Sequence, residues 1–299
     1  MVFLLIALTV CACGQDPQLP PQHTDSPIAR LPGGQPSHLA VIVMENHEFD
    51  EVIGSGQAPF INRLARAHGL ARRMFAITNP SLPNYLALTG GTTAGIDSDC
   101  TGCRVRGSGL AGQLSAAGIS WKAYMEDMPR SCFRGSGHKG YAKKHDPFIY
   151  YTGVADDFRL CNNIVPLSQL RLDERRGTLP RFIWITPNLC HDMHDCDVRV
   201  GDRFLARIVP PLLRRLGRRG LLALTWDEGS SNAGCCRYAR GGHIATIIAG
   251  AGARRRARET TPVDHYSLLQ TIDDLFGLPR LGHAKCACTP GLRALLARR

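Results

Sequence analysis

No stretch of the 299-residue chain stays apolar for the roughly 20 residues that a transmembrane helix needs. No segment repeats, which removes solenoids and propellers from consideration. CTGC at 100–103 has zinc-ligand spacing, but no second CxxC accompanies it and the other cysteines are scattered. Acidic residues are in deficit: 25 Asp and Glu stand against 36 Lys and Arg, a formal net charge of +11. Much of the excess is arginine in short runs at 214–215, 218–219 and 254–256. Such runs ordinarily form a solvated face, and they also attract phosphorylated substrates, acidic lipid surfaces or nucleic acid. Charge alone does not choose among these. The remainder is ordinary for a globular protein, with 44% hydrophobic and 20% charged residues, enough for one large or two small domains.

The N-terminus reads MVFLLIALTVCACG. Its apolar run has the length of a secretory signal's apolar region. Ala12-Cys13-Gly14 looks like a lipoprotein cleavage site, so residues 1–12 read as the signal and Cys13 as a lipidated membrane tether. Export to the cell envelope, or secretion, is the expected fate. Of twelve cysteines, cleavage removes Cys11 and lipidation takes Cys13, leaving ten. An even set in an exported chain reads as disulfides ahead of a zinc site. Cys190 paired with Cys196 would close a short loop. Residues 14–38, with Pro17, Pro20, Pro21, Pro27, Pro32 and Pro36, form a linker. Residues 39–299 are the folded domain.

Within that domain strand-like and helix-like segments alternate. LAVIVM (39–44), FIWIT (182–186), LLALTW (221–226) and IATIIAG (244–250) are continuous apolar runs typical of buried strands, and SWKAY is a further strand. Helices are expected at PFINRLARAHG, from about Leu82, at GLAGQLSAAG, from about Asp202 to Leu216, and at HYSLLQTIDDLFG. The loop-rich stretch 128–166 has no clear assignment. Such alternation predicts a three-layer α/β/α sandwich with a mostly parallel central sheet. Ligands in such sheets bind outside the carboxyl ends of the strands. The residues at those positions are Glu45-Asn46-His47, the run from Pro187 to Asp195, Asp227-Glu228, and His243.

Glu45, Asn46, Asp227 and Glu228 together offer three carboxylates and an amide oxygen. That is a hard oxygen cage suited to magnesium, calcium or manganese, or to zinc. Without a cation, clustered carboxylates would repel one another and raise their own pKa values. Each alone is explained equally well as a loop cap. In TNPSLPNYLAL, Ser81 stands where a helix begins, with Pro83 in its first turn. A cap is the ordinary reading of that pattern. The same position also lets a hydroxyl meet a phosphate held by the free N–H groups and dipole of the helix end. A divalent cation beside it would favour ionisation to a nucleophile.

Five segments carry a resemblance: VIVMENHEFDEVIG, TNPSLPNYLALTGG, ITPNLCHDMHDC, LTWDEGSS and VDHYSLLQTIDDLFGLPRLG. They are similar, in this order, to the bacterial phosphoesterase family within the alkaline phosphatase superfamily. That family includes exported acid phosphatases, phosphatidylinositol phosphatases and, more distantly, phospholipases C. The resemblance implies an alkaline phosphatase-like fold and hydrolysis of phosphoric monoesters, phosphoinositides among the candidate substrates. It implies Ser81 as nucleophile and one divalent ion (Mg, Ca, Mn or Zn) on Glu45, Asn46, Asp227 and Glu228. His191, Asp192 and His194 fall in the loop that elsewhere in the superfamily holds second-metal ligands or phosphate contacts, and His243 resembles the late histidine of that subsite. Asn84, Asn188, His191 and Asp192 are the expected substrate contacts. His194 or His243 is the expected proton donor, since imidazole donates protons near neutral pH. The chain departs from the family pattern at Asn79, His191 and Ser230-Ser231, which bears on substrate preference.

Expected partners are a phosphorylated small molecule or a phospholipid head group, with no specific nucleic acid. A phosphodiesterase or phospholipase C would use the same residues. A sulfatase is disfavoured because no Cys-x-Pro-x-Arg-like nucleophile site occurs. A non-catalytic surface lipoprotein that binds polyanions would bind with a steep salt dependence and show no turnover. It gives no reason for the three acidic and serine segments to coexist.

Overall fold

A computed structural model describes residues 34–286 and 290–297. The signal, Cys13, the linker up to residue 33, and Cys288 lie outside the described residues. The end of the linker lies against the domain: Gln35 Nε2 donates to the Phe276 carbonyl at 2.9 Å and Ser37 Oγ to that of Leu216 at 2.6 Å.

The first half of the domain runs β1 (Leu39–Met44), α1 (Phe49–Val52), α2 (Pro59–Ala67), β2 (Gly69–Phe75), α3 (Ser81–Gly90), α4 (Gly109–Ala116) and β3 (Trp121–Met125). A small hairpin, β4 (Gly137–His138) with β5 (Tyr141–Ala142), and two single-turn helices, α5 (Thr152–Ala155) and α6 (Phe158–Cys161), fill the middle stretch. Then follow β6 (Ile164–Pro166), α7 (Ser168–Arg176), β7 (Phe182–Thr186), α8 (Val198–Arg215), β8 (Leu221–Trp226) and β9 (His243–Ala249). Two short strands, β10 (Arg258–Glu259) and β11 (Val263–Asp264), precede α9 (His265–Phe276).

The main sheet has the order β10-β2-β9-β8-β1-β7-β3-β6, with β11 also paired to β2. Its pairings are parallel except on the two sides of β9, which runs against β2 and β8. β1, β7 and β8 are buried throughout because helices cover both faces, which is why they read as continuous apolar runs. α2 packs with α8, while α3 packs with α9 and α4.

α8 begins four residues before the expected Asp202 and continues through Pro210 and Pro211. The start of this helix, VRVG, alternates valine with arginine and glycine and so does not display a helical period in the sequence. Asp202 serves another element instead: its carboxylate accepts the N–H groups of Phe60 and Ile61 at 3.1 and 2.8 Å, capping α2. Among the described residues, disulfides join Cys100 to Cys103, Cys132 to Cys161, Cys190 to Cys196 and Cys235 to Cys236. CTGC is therefore a disulfide in this structure. No helix among the described residues is long and apolar enough to cross a membrane.

Asp273, inside α9, is fully buried. Burial, reinforced by the neighbouring Asp274, raises its carboxyl to about 8. The unfolded chain releases that proton near the ordinary carboxyl value of about 4. The folded state thus holds the proton longer, so this contribution to stability is complete below about pH 4 and is lost as pH rises through 8. Urea unfolding should show stability falling across that window by no more than about 1.4 kcal/mol per pH unit from this group. Asp273→Asn should flatten the slope while keeping an acceptor for the Leu281 N–H. An unchanged slope in that variant would assign the pH dependence elsewhere.

Candidate active site

The site forms where β1 and β8 end side by side. Met44 and Trp226 are register partners, so Glu45 and Asp227 leave the same sheet edge together. The Asp227 N–H donates to the Met44 carbonyl at 2.9 Å. Asp227 Oδ1 accepts from the Asn46 and Glu228 N–H groups at 3.3 and 2.6 Å. Asn46 takes a left-handed conformation, φ 55°, which asparagine tolerates better than most residues.

Ser81 follows β2, which β9 separates from β8 in the sheet. Beyond β2 the backbone keeps pairing with the segment before β9: Arg240 N–H donates to the Ile77 carbonyl at 2.9 Å and Gly241 N–H to that of Ala76 at 3.0 Å. A Cβ on Gly241 would lie 2.4 Å from the Thr78 carbonyl oxygen, so only glycine permits this approach. The chain then turns into α3 with Pro80 as the N-cap residue. Ser81 is not the cap. Its buried hydroxyl donates instead to Glu45 Oε2 at 3.2 Å. Asp99 takes the capping task, accepting the Leu82 N–H at 2.9 Å. One turn along, Tyr85 donates its hydroxyl to Glu45 Oε1.

Asn84 fastens the turn: its Oδ1 accepts from the Ile77 and Thr78 N–H groups, and its Nδ2 donates to Glu228 Oε2 at 3.2 Å. The Asn79 amide, oriented to satisfy its neighbours, donates to the same Glu228 oxygen at 3.1 Å. His145 lies between two carboxylates, its Nε2 3.3 Å from Glu45 Oε2 and its Nδ1 3.3 Å from Asp192 Oδ2. Its ring stacks on Tyr85 at 5.4 Å. His194 stands at the rim. Its Nδ1 bonds Asp195 Oδ1 at 2.6 Å, while its Nε2 is 3.2 Å from Lys144 Nζ, which also pairs with Asp99 at 2.9 Å.

The structure thus gathers Glu45, Asn46, Ser81, Asn84, Asp192, Asp227 and Glu228, with His194 alongside. Three other expected site residues face elsewhere. His243 begins β9 at this edge, but its ring is stacked between Phe49 and Phe75 and its Nε2 bonds the Arg72 carbonyl at 2.8 Å. His191 points to Glu126, 2.9 Å from Nδ1, and stacks on Phe204 at 4.7 Å. Asn188 donates to Asp127 Oδ2 at 2.9 Å. Conversely, His145, Tyr85, Lys144 and Asp99 were not anticipated. Tyr85 carried a signal, since a residue four after Ser81 shares its helix face. His145 and Lys144 lie in the middle stretch that periodicity does not reach.

Burial dominates the electrostatics. It raises the carboxyls of Glu45 and Asp192 well above their ordinary range, with further repulsion from Asp227. Burial likewise lifts Asp227 to about 6, and burial plus the Asp227 charge lifts Glu228 to about 9. The His145 imidazole is pushed well below its usual value by burial, then by the Lys144 charge. Burial alone would lower Lys144, but its bond to Asp99 outweighs this and raises it.

The donor set fits a hard divalent cation. Ligand atoms of Glu45, His145 and Asp192 all lie within 4.8 Å of one another. Asn46 Oδ1, Asp192 Oδ2 and Asp227 Oδ2 are buried without a hydrogen-bond partner. Such orphaned oxygens normally cost stability unless a cation or water takes them. A cation would also offset the burial and the repulsion that raise these carboxyls.

A nine-stranded, mostly parallel sheet defines the architecture, and solved structures share that fold. The fold resembles a protein in the alkaline phosphatase superfamily from Vibrio parahaemolyticus, with TM-score 0.57 at 12% identity over 85% of this chain and 71% of that one. It also resembles a phosphonate monoester hydrolase from Silicibacter pomeroyi, with TM-score 0.53 at 14% identity over 86% and 76%. At these identities the likeness concerns the fold alone. Sequence goes further. The model of the phosphoesterase family matches residues 55–279. A phosphatidylinositol-3-phosphatase of Mycobacterium tuberculosis is 32% identical over 83% of this chain and 79% of its own length. A phosphate-repressible acid phosphatase of Penicillium chrysogenum is 29% identical over 87% of this chain, which spans 64% of that relative. The chain belongs to the phosphoesterase family and is a phosphate ester hydrolase.

Proposed function

We propose that the chain is a metal-dependent phosphoric monoester hydrolase that works through a phosphoserine at Ser81. The observation that carries this is the buried Ser81 hydroxyl at the first turn of α3, 3.2 Å from a carboxylate in a cluster of acids with unpartnered oxygens. Glu45, Asn46, Asp227 and Glu228 would hold the ion, with Asp192 and His145 extending the donor set. When bound, the ion supplies positive charge that favours the serine alkoxide and neutralises phosphate oxygens.

The chain's own groups do the rest. Ser81 Oγ bonds to phosphorus as the ester P–O bond breaks. Water then cleaves the phosphoserine, releasing inorganic phosphate and restoring the hydroxyl. Phosphoryl transfer depends on positioning and charge stabilisation more than on covalent work by the protein. Tyr85 fixes the Glu45 carboxylate, while Asn84 and Asn79 fix Glu228, so the acids cannot drift. Lys144 and His194 stand at the rim as cation and proton carrier for the departing oxygen. The Cys190–Cys196 bridge closes the loop bearing Asp192 and His194, limiting positional error. His243, His191 and Asn188 support the surrounding structure in this reading.

The relatives, a phosphatidylinositol-3-phosphatase and acid phosphatases, support monoester chemistry and admit phosphoinositides as substrates. The N-terminal signal and the disulfides favour export, to the envelope through Cys13 or into the medium. Purified protein should release p-nitrophenol from p-nitrophenyl phosphate at least about tenfold faster, in kcat/KM, than from the bis ester, since a cationic site selects the dianionic terminal phosphate. The opposite preference would make it a phosphodiesterase on the same residues. No turnover of either, with salt-sensitive heparin binding, would leave the polyanion-binding reading.

A further inference from the structure

The three arginine runs lie apart in the sequence but meet at one edge of the sheet. β8 runs parallel to β1 with Leu221 opposite Leu39, so the turn ahead of it, carrying the run 218–219, sits beside the start of β1. α8 delivers the run 214–215 to the same place, where the Ser37 hydroxyl donates to the Leu216 carbonyl at 2.6 Å. β9 is antiparallel to β8, so the chain leaving it emerges there too. Gly252 N–H donates to the Gly220 carbonyl at 3.0 Å, and the run 254–256 follows. β2 begins opposite the end of β9, Gly69 pairing with Ile248, and this brings the last turn of α2 alongside. Arg256 N–H donates to the Ala67 carbonyl at 3.2 Å. This is the amino edge of β1 and β8, and Glu45 and Asp227 leave the other.

The charge gathered here is not met by ion pairs. Residues 63–69, 213–220 and 250–258 include no Asp, Glu, Phe, Tyr or Trp. The arginines of these stretches are exposed, and among the described residues none pairs with a carboxylate. Glu174 is near enough for Arg214 and Arg215 to act on its carboxyl, and Glu259 accepts the Thr261 N–H at 2.7 Å. Arg63 and Arg66, one turn apart on α2, join Arg255, Arg256 and Arg258 around a cavity of about 490 Å³. Arg258 is fixed by carbonyls, its Nη1 donating to His68 at 3.0 Å and to Ala257 at 2.7 Å. Like charges held this closely repel one another and attract anions.

We propose that the amino edge is a docking face for an anionic lipid surface, its arginines pairing with lipid phosphates while the carboxyl edge and Ser81 face away from the bilayer. The planar guanidinium fork suits phosphate, and each cation near such a surface adds to the attraction. Nucleic acid fits less well. Single strands bind on aromatic rings, which these stretches lack. α2 and α8 meet the edge by their last turns, so neither lays a flank in a duplex groove. A lipid surface needs neither feature. A docked molecule keeps its site open to soluble esters.

The test sediments the full-length protein with vesicles of phosphatidylcholine, alone or mixed with phosphatidylglycerol. Partitioning should be at least about tenfold stronger onto the anionic vesicles at about 0.1 M salt, and the difference should vanish at about 1 M. An apolar or lipidated N-terminus would act on both kinds of vesicle alike. Arg255→Gln/Arg256→Gln and Arg218→Gln/Arg219→Gln should each weaken the anionic binding about tenfold. Arg237→Gln/Arg240→Gln removes the same charge between β8 and β9, at the carboxyl edge, and should leave binding unchanged. All six positions are exposed, and thermal melts verify folding. Vesicle-bound protein should hydrolyse p-nitrophenyl phosphate at its rate in solution. Equal partitioning onto both vesicles, an equal fall in all three variants, or tighter binding to duplex DNA than to anionic vesicles overturns the proposal. Loss of turnover on docking does so too, because it would put the carboxyl edge against the bilayer. If the free protein shows no turnover, the phosphatase reading falls, while sedimentation still decides the docking face.

Discussion

Replacing Ser81 with alanine should lower phosphate release from p-nitrophenyl phosphate by at least about 10³-fold, because the proposed reaction forms its phosphoenzyme on this hydroxyl. The fold should survive. The Ser81 hydroxyl bonds Glu45, whose other oxygen remains bonded to Tyr85, and losing such a bond costs about 1–3 kcal/mol. α3 keeps its cap through Asp99, so circular dichroism and the melting curve should stay near wild type. Acid-quenched wild type should carry phosphate on Ser81, detectable by mass spectrometry, and the alanine variant none. A variant that keeps a tenth or more of the activity would remove Ser81 from the role and turn attention to a directly attacking water.

Stripping divalent ions with a strong chelator should abolish turnover, and adding back a single kind of ion should restore it. The reason lies in the burial. Glu45, Asp192, Asp227 and Glu228 are nearly inaccessible, and burial, with the Asp227 charge acting on the other three, raises their carboxyls, so the cluster binds either protons or a cation. The stripped protein should also melt at a lower temperature, because a ligand bound only by the folded state stabilises it. The two readouts have different meanings. Lost activity with an unchanged melt would mean a weakly held ion. Full activity after exhaustive chelation would refute metal dependence and recast the acids as a proton-sharing network held by Tyr85 and His145.

Much of this site was legible before any coordinates. β1, β7 and β8 announce themselves as buried runs, and polar residues at their carboxyl ends must share an edge in a parallel sheet. Hence Glu45, Asn46, Asp227 and Glu228 meet as a group. Position on an edge does not set side-chain direction, however. His243 stands where expected, yet its ring turns to the Arg72 carbonyl between two phenylalanines. His191 and Asn188 ride the expected loop but face the Glu126–Asp127 wall. The reversed direction of β9 was equally hidden, because a run buried on both faces looks the same in either orientation. His145 follows a two-residue hairpin and sits in a 3₁₀ turn, elements too short to impose a period on the sequence.

The contacts of Gln35 and Ser37 bear on how the molecule can be handled. They bring the chain into the domain beside the start of β1, whereas Ser81 and the acids gather beyond its far end. Six strand residues, at about 3.3 Å each, separate the two by roughly 20 Å. A bead, a fluorophore or a fusion partner joined ahead of Gly34 therefore attaches at the pole opposite the reaction centre. Immobilised from that end, the protein presents its working mouth to the solution.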